Sequence, residues 1–133
     1  MGRLLDRIDI HIEVPRVDYE KLSEHRMLET SESIRARVQA ARNIQLARFA
    51  NVESLNIVAN ADIRFGEIRR FCKLQDEGQS LMRAAMTQLN LSARAYHRIL
   101  KLARTIADLA GSDEIQSAHL AEALQYRPKL IMG

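Results

Sequence analysis

The chain is 133 residues long with a mass of 15.2 kDa, about one domain's worth and enough for a real core. At 47% hydrophobic and 28% charged it is not a disordered tail, no stretch approaches the roughly 20 apolar residues of a bilayer span, and the N-terminus lacks the apolar run of a secretory signal. The net charge is +3, and a single cysteine, Cys72, excludes an intrachain disulfide or cysteine-based zinc cluster and fits a reducing cytoplasm.

Residues 8–14 read Ile-Asp-Ile-His-Ile-Glu-Val. Strict alternation with β-branched residues on one face predicts a half-buried strand, ended by Pro15. A lone strand cannot stand by itself, and no second segment alternates as clearly, so this strand reads as the edge of a sheet supplied elsewhere. Residues 18–29 are polar. A helix is expected from Thr30 or Ser31 to about Phe49, with Ile34, Val38, Ala41 and Ile44 as its apolar stripe. Residues 50–61 read as a loop.

Asp62 can cap a short helix to about Cys72. Another runs from about Asp76 to Leu89, with Leu81, Met82, Ala85 and Leu89 inward. Asn90-Leu91-Ser92 breaks it, and Ser92 suits an N-cap. The clearest helix follows, about Ala93 to Ala110, with Ala95, Ile99, Leu102, Ile106 and Leu109 on one face. Gly111 ends it as a C′ residue. Asp113 with Gln116 resembles a capping box for a last helix to about Tyr126. The fold class is therefore mainly α: an N-terminal strand edge, then a bundle of four to five helices.

The charge is unevenly spread. Residues 64–104 carry 9 basic and 3 acidic side chains, a local +6, and 16 of the 20 basic residues are arginine. Two readings fit: a solvated helix surface, or a basic face that meets phosphate, with Arg69, Arg70 and Lys73 as candidate nucleic-acid contacts. With only 5% aromatic residues and no tryptophan, a base-stacking platform is not expected.

Chemistry for an autonomous enzyme is missing from the pattern. The five glycines are scattered, so no phosphate loop forms. No metal spacing appears. His119 and Glu122 sit three apart, as in di-iron bundles, but those need partner glutamates on facing helices. Cys72 reads as a buried or idle thiol, and no serine lies in an elbow motif.

Two arginine-centred motifs remain. Arg7 lies between Asp6 and Asp9 just before the predicted strand, where a local ion pair is the plain reading. Arg94 falls in the first turn of the clearest helix, where the macrodipole disfavours a cation. An anion such as phosphate, held by the helix terminus and the guanidinium together, would reconcile the two; a tolerated exposed arginine is the alternative.

Residues 4–15, Leu-Leu-Asp-Arg-Ile-Asp-Ile-His-Ile-Glu-Val-Pro, resemble the end of the ATPase core in the magnesium-chelatase-like branch of the AAA+ family. Residues 92–109, Ser-Ala-Arg-Ala-Tyr-His-Arg-Ile-Leu-Lys-Leu-Ala-Arg-Thr-Ile-Ala-Asp-Leu, resemble that branch's C-terminal lid helix. Ile115, residues 117–120, 122–124 and 126–127 resemble its final helix. The similarity is greatest to the ComM/YifB group. It implies that residues 1–17 close the ATPase core and 18–133 form the helical lid. It further implies that Arg7 is the arginine finger reaching a neighbour's γ-phosphate, oriented by Asp6, and that Arg94 is the sensor-2 arginine.

The Walker A loop, Walker B carboxylates and sensor 1 lie upstream in that family. ATP and Mg2+ therefore belong to the parent protein, and this piece alone is expected to hold neither and to be silent. The implied partners are the upstream AAA+ core, neighbouring subunits of a hexamer, and DNA; no membrane is involved. A standalone helical nucleic-acid-binding module using residues 64–104 is the alternative.

Overall fold

The computed structural model describes residues 8–16, 18–19, 28–50, 52 and 56–128. Five α-helices run through them: α1 (Ser31–Phe49), α2 (Ile68–Phe71), α3 (Asp76–Leu89), α4 (Ala93–Leu109) and α5 (Ser117–Gln125). Two 3-10 turns, Asn60–Asp62 and Phe65–Glu67, lead into α2. The mainly helical class holds. Among the described residues there is no strand, only an isolated parallel bridge between Leu74 and Ile115 that ties the α2–α3 connection to the α4–α5 connection.

The expected strand at 8–14 is thus corrected. Its Ile8, Ile10, Ile12 and Val14 are all exposed, and the segment touches the bundle through the His11 amide, which donates to the Tyr126 carbonyl at 2.8 Å. The alternation is real, but a ladder needs an edge to pair with, and the described residues offer none.

The helix ends follow local chemistry. The Thr30 hydroxyl accepts from the Ser33 amide at 3.1 Å and opens α1, and the Ser92 hydroxyl accepts from the Ala95 amide at 3.1 Å and opens α4. Gly111, at φ +71°, closes α4. Its amide donates to the Asp108 carbonyl and the Ser112 amide to the Ala107 carbonyl, the two bonds of a Schellman turn. The capping box expected from Asp113 and Gln116 is displaced: Gln116 is the N-cap of α5, and its amide donates to Nδ1 of His119 at 2.9 Å. His119 is thereby a helix cap. Asp62 acts backwards, accepting from the Ala59 amide at 3.2 Å across a 3-10 turn, because the following segment tightens into 3-10 geometry before α2.

The core lies around α4, which packs on α5, α1, α2 and the first 3-10 turn. Ala103, Ala107, Leu120 and Ala123 are fully buried; the small side chains let α4 and α5 approach closely. At Gly78 of α3 an added Cβ would meet the buried Leu120 Cδ1 at 3.0 Å, so glycine sets the spacing of α3 against α5. The deeply buried face of α4 is rotated from the expected stripe: Ile99, Leu100, Ala103, Arg104, Ala107 and Asp108 are inside, and Ala95, Leu102, Ile106 and Leu109 only half-buried. Two polar residues among the buried six hid this face from a hydrophobic pattern. In α3, Met82 and Ala85 face inward, Leu81 is half-buried and Leu89 exposed.

In α1 only Ala41, Gln45 and Phe49 are buried, and residues 31–40 are exposed throughout. Ile34 and Val38 lie on the same stripe as Ala41, Gln45 and Phe49. They precede the point at which the helix meets the bundle.

Candidate functional site

Arg94, Arg98 and Lys101 occur at i, i+4 and i+7, on one face of α4. The Ser92 cap fixes where that face begins. Opposite stand Ile63, Arg64 and Phe65, and between the two walls runs a groove of about 470 Å³. Lys101 Nζ donates to the Ala61 carbonyl at 3.1 Å and ties α4 to the opposite wall. Arg98 Nε lies 3.5 Å from Asp9 Oδ1, the only carboxylate lining the groove among the described residues. Arg64 and Arg94 are exposed and make no ion pair among the described residues. Four cations against one carboxylate make a groove suited to an anion.

His97 forms part of the same groove. Its ring stands edge-on to Phe65, with centroids 4.3 Å apart, and its Nδ1 is buried without a hydrogen-bond partner. Burial first, and then the Lys101 ammonium, hold this imidazole below its ordinary pKa. The ring is therefore neutral at pH 7 and leaves the groove's charge to the arginines and the lysine.

Arg94 is exposed and lines the groove. Arg7 and Asp6 lie outside the described residues. Arg69, Arg70 and Lys73 are exposed but do not join the Arg94 groove. Arg69 and Lys73 line a separate groove, and the Arg70 guanidinium lies 5.1 Å from the Phe71 ring centroid. Cys72 is buried, and burial pushes its thiol up to about 11, so it stays protonated. Among the described residues no group of three or more His, Cys, Asp or Glu could hold a metal ion.

Sequence reasoning missed a polar cluster at the other end of α4. Asp108, with no exposed side-chain surface, receives Arg48 Nη2 at 2.6 Å and Arg48 Nη1 at 2.9 Å. It also pairs with Arg104 at 3.2 Å and accepts from Asn60 Nδ2 at 2.8 Å. The Asn60 amide donates to Gln45 Oε1, and Arg104 donates to the carbonyls of Ser112 and Asp113. This cluster binds α1, the first 3-10 turn and the end of α4 together. A buried Arg–x–x–x–Asp pair on one helix was its only local signal.

The sequence pattern described as magnesium chelatase, subunit ChlI C-terminal, matches residues 28–127. The chain belongs to this family. It is 44% identical over 127 residues to the competence protein ComM of Haemophilus influenzae, covering 95% of this chain and 24% of that protein. It is 40% identical to YifB of Escherichia coli K12 and 36% identical to YifB of Salmonella typhimurium, with the same coverage. This chelatase C-terminal domain thus spans about a quarter of the length of the curated relatives it matches. No helix in its described residues is long and apolar enough to cross a membrane.

Proposed function

We propose that this chelatase C-terminal domain is the lid of an AAA+ ATPase, with residues 1–17 completing the ATPase core and 18–133 forming the lid. Its task is to sense the nucleotide held mainly by the core. The observation that carries this reading is Arg94: an exposed guanidinium without a carboxylate partner among the described residues, at the mouth of a groove shared with Arg64, Arg98 and Lys101. Those side chains fit a polyphosphate. A bound nucleotide supplies the phosphoanhydride bond, with Mg2+ as its counter-ion.

Arg94 would hold the terminal phosphate from the lid side, and Arg98 and Lys101 would extend the same positive face. Losing that anion would leave mutually repelling cations on one face of α4 and favour rotation of the bundle as a rigid body. Arg7, positioned by Asp6, would act on the nucleotide of the adjacent subunit as an arginine finger. The parent is proposed as a hexameric, ATP-driven motor that remodels DNA in the cytoplasm. Support for this wider reading comes from the family resemblance and from the designation of one relative as a competence protein.

The test is ATP hydrolysis by the complete protein. Arg94→Ala is expected to depress turnover at least about tenfold, whereas Arg70→Ala, which removes an arginine outside the groove, leaves it unchanged. Wild-type turnover in Arg94→Ala would overturn the assignment.

A further inference from the structure

A second groove, of about 560 Å³, shares only Ile68 with the first. One wall is α2 with the Cys72–Leu74 turn, the other is α3, and α4 closes the bottom. The nucleotide-sensing role makes no use of it. Its volume falls in the range of ligand and peptide pockets.

The groove is built of two materials. Leu74, Met82 and Leu100 are buried beneath it, and Met86 and Tyr96 are half-buried and present carbon and sulfur to it. Arg69, Lys73 and Arg83 stand exposed around the rim. Among the described residues no carboxylate lines the groove, and none of the three cations makes an ion pair.

We propose that this groove docks an acidic peptide segment carrying an aliphatic anchor residue. Such a segment satisfies both materials at once. The anchor covers the thioether and aliphatic bottom, where flexible methionine adapts to the shape of the guest. Flanking carboxylates meet the rim, where arginine binds carboxylate in a two-pronged geometry. Nucleic acid matches less well. A duplex presents a convex phosphate surface that leaves a concave apolar bottom empty. A single strand binds through stacked rings, and among the described residues the groove has one ring, that of Tyr96.

The probe is a synthetic helical peptide of about 12 residues with leucine anchors at i, i+3 and i+4 spacing and glutamate between them. It is titrated into the 133-residue chain carrying 13C-methyl methionine. The Met82 and Met86 methyl signals are expected to shift on binding. Affinity should fall roughly tenfold or more in Lys73→Gln/Arg83→Gln, and equally when the peptide's glutamates are replaced by glutamine. Both substituted residues are exposed, so circular dichroism should show an intact fold. Arg94→Gln, in the other groove, should leave the affinity unchanged.

The proposal is overturned if the methyls do not shift, if neither charge removal weakens binding, or if Arg94→Gln weakens it as much as the rim double variant. An oligothymidine that shifts the same methyls at lower concentration than the peptide also overturns it, and assigns the groove to nucleic acid.

Discussion

The two ends of α4 use the same side chain for opposite ends. Near its C-terminus Arg104 and, from α1, Arg48 converge on the buried carboxylate of Asp108, and their Nη groups meet that carboxylate, Asn60 and the carbonyls of Ser112 and Asp113, while Arg104 Nε is buried without a partner among the described residues. Near its N-terminus Arg94 and Arg64 are exposed and make no ion pair among the described residues, the one carboxylate of their groove, Asp9, lying against Arg98 instead. An arginine that has its anion inside the chain holds the fold together. An arginine that lacks one among the described residues is, in the proposed role, the one that meets an anion from outside, and the difference lies in the neighbouring elements.

The sharpest way to break this contrast is Asp108→Ala. It leaves two largely buried guanidiniums without their counter-charge, and should cost about 3–5 kcal/mol in urea unfolding. Gly78→Val comes next: its side chain would push into Leu120, which has nowhere to go, for an expected loss of about 1–3 kcal/mol by the same measurement. At the open end, Arg94→Ala should change the stability of the domain by less than about 0.5 kcal/mol, although it is expected to impair hydrolysis in the complete protein. A large stability loss there would mean that Arg94 is structural, and the contrast would fail.

The smallest effect concerns His97. Its imidazole titrates below the ordinary 6.5, so the unfolded chain takes up a proton before the folded one does. Its contribution is fully present above that value and is lost as pH falls towards the lowered folded value. The pH profile of unfolding should therefore decline through that window, and His97→Phe should flatten the decline.

Features that depend on a few adjacent residues were legible in the sequence. Thr30 and Ser92 cap because a hydroxyl precedes a helical run, and Gly111 ends α4 because its φ is positive. The placement of Arg94 in the first turn of α4 followed directly. Features that depend on distant partners were not. Arg48 and Asp108 are 60 residues apart, and Asn60 and Asp108 are 48 apart, so hydrophobic periodicity found Ile99, Leu102 and Ile106 against the core but not the polar half of the buried face of α4. Arg64 and Lys101 likewise meet across one groove only because two 3-10 turns fold back on α4. The alternation at 8–14 predicted a geometry that needs a pairing edge, and the alternation could not say whether one would be present.

The overhang of α1 has a mechanical consequence. The helix is about 28 Å long, and only its second half is gripped by the bundle. Over that length an α-helix behaves as a stiff rod, so it acts as a lever anchored at one end. The projecting half is about 15 Å long, so a rotation of about 10° at its base would carry the tip through about 3 Å, turning a small angular change at the anchored end into a displacement at the other.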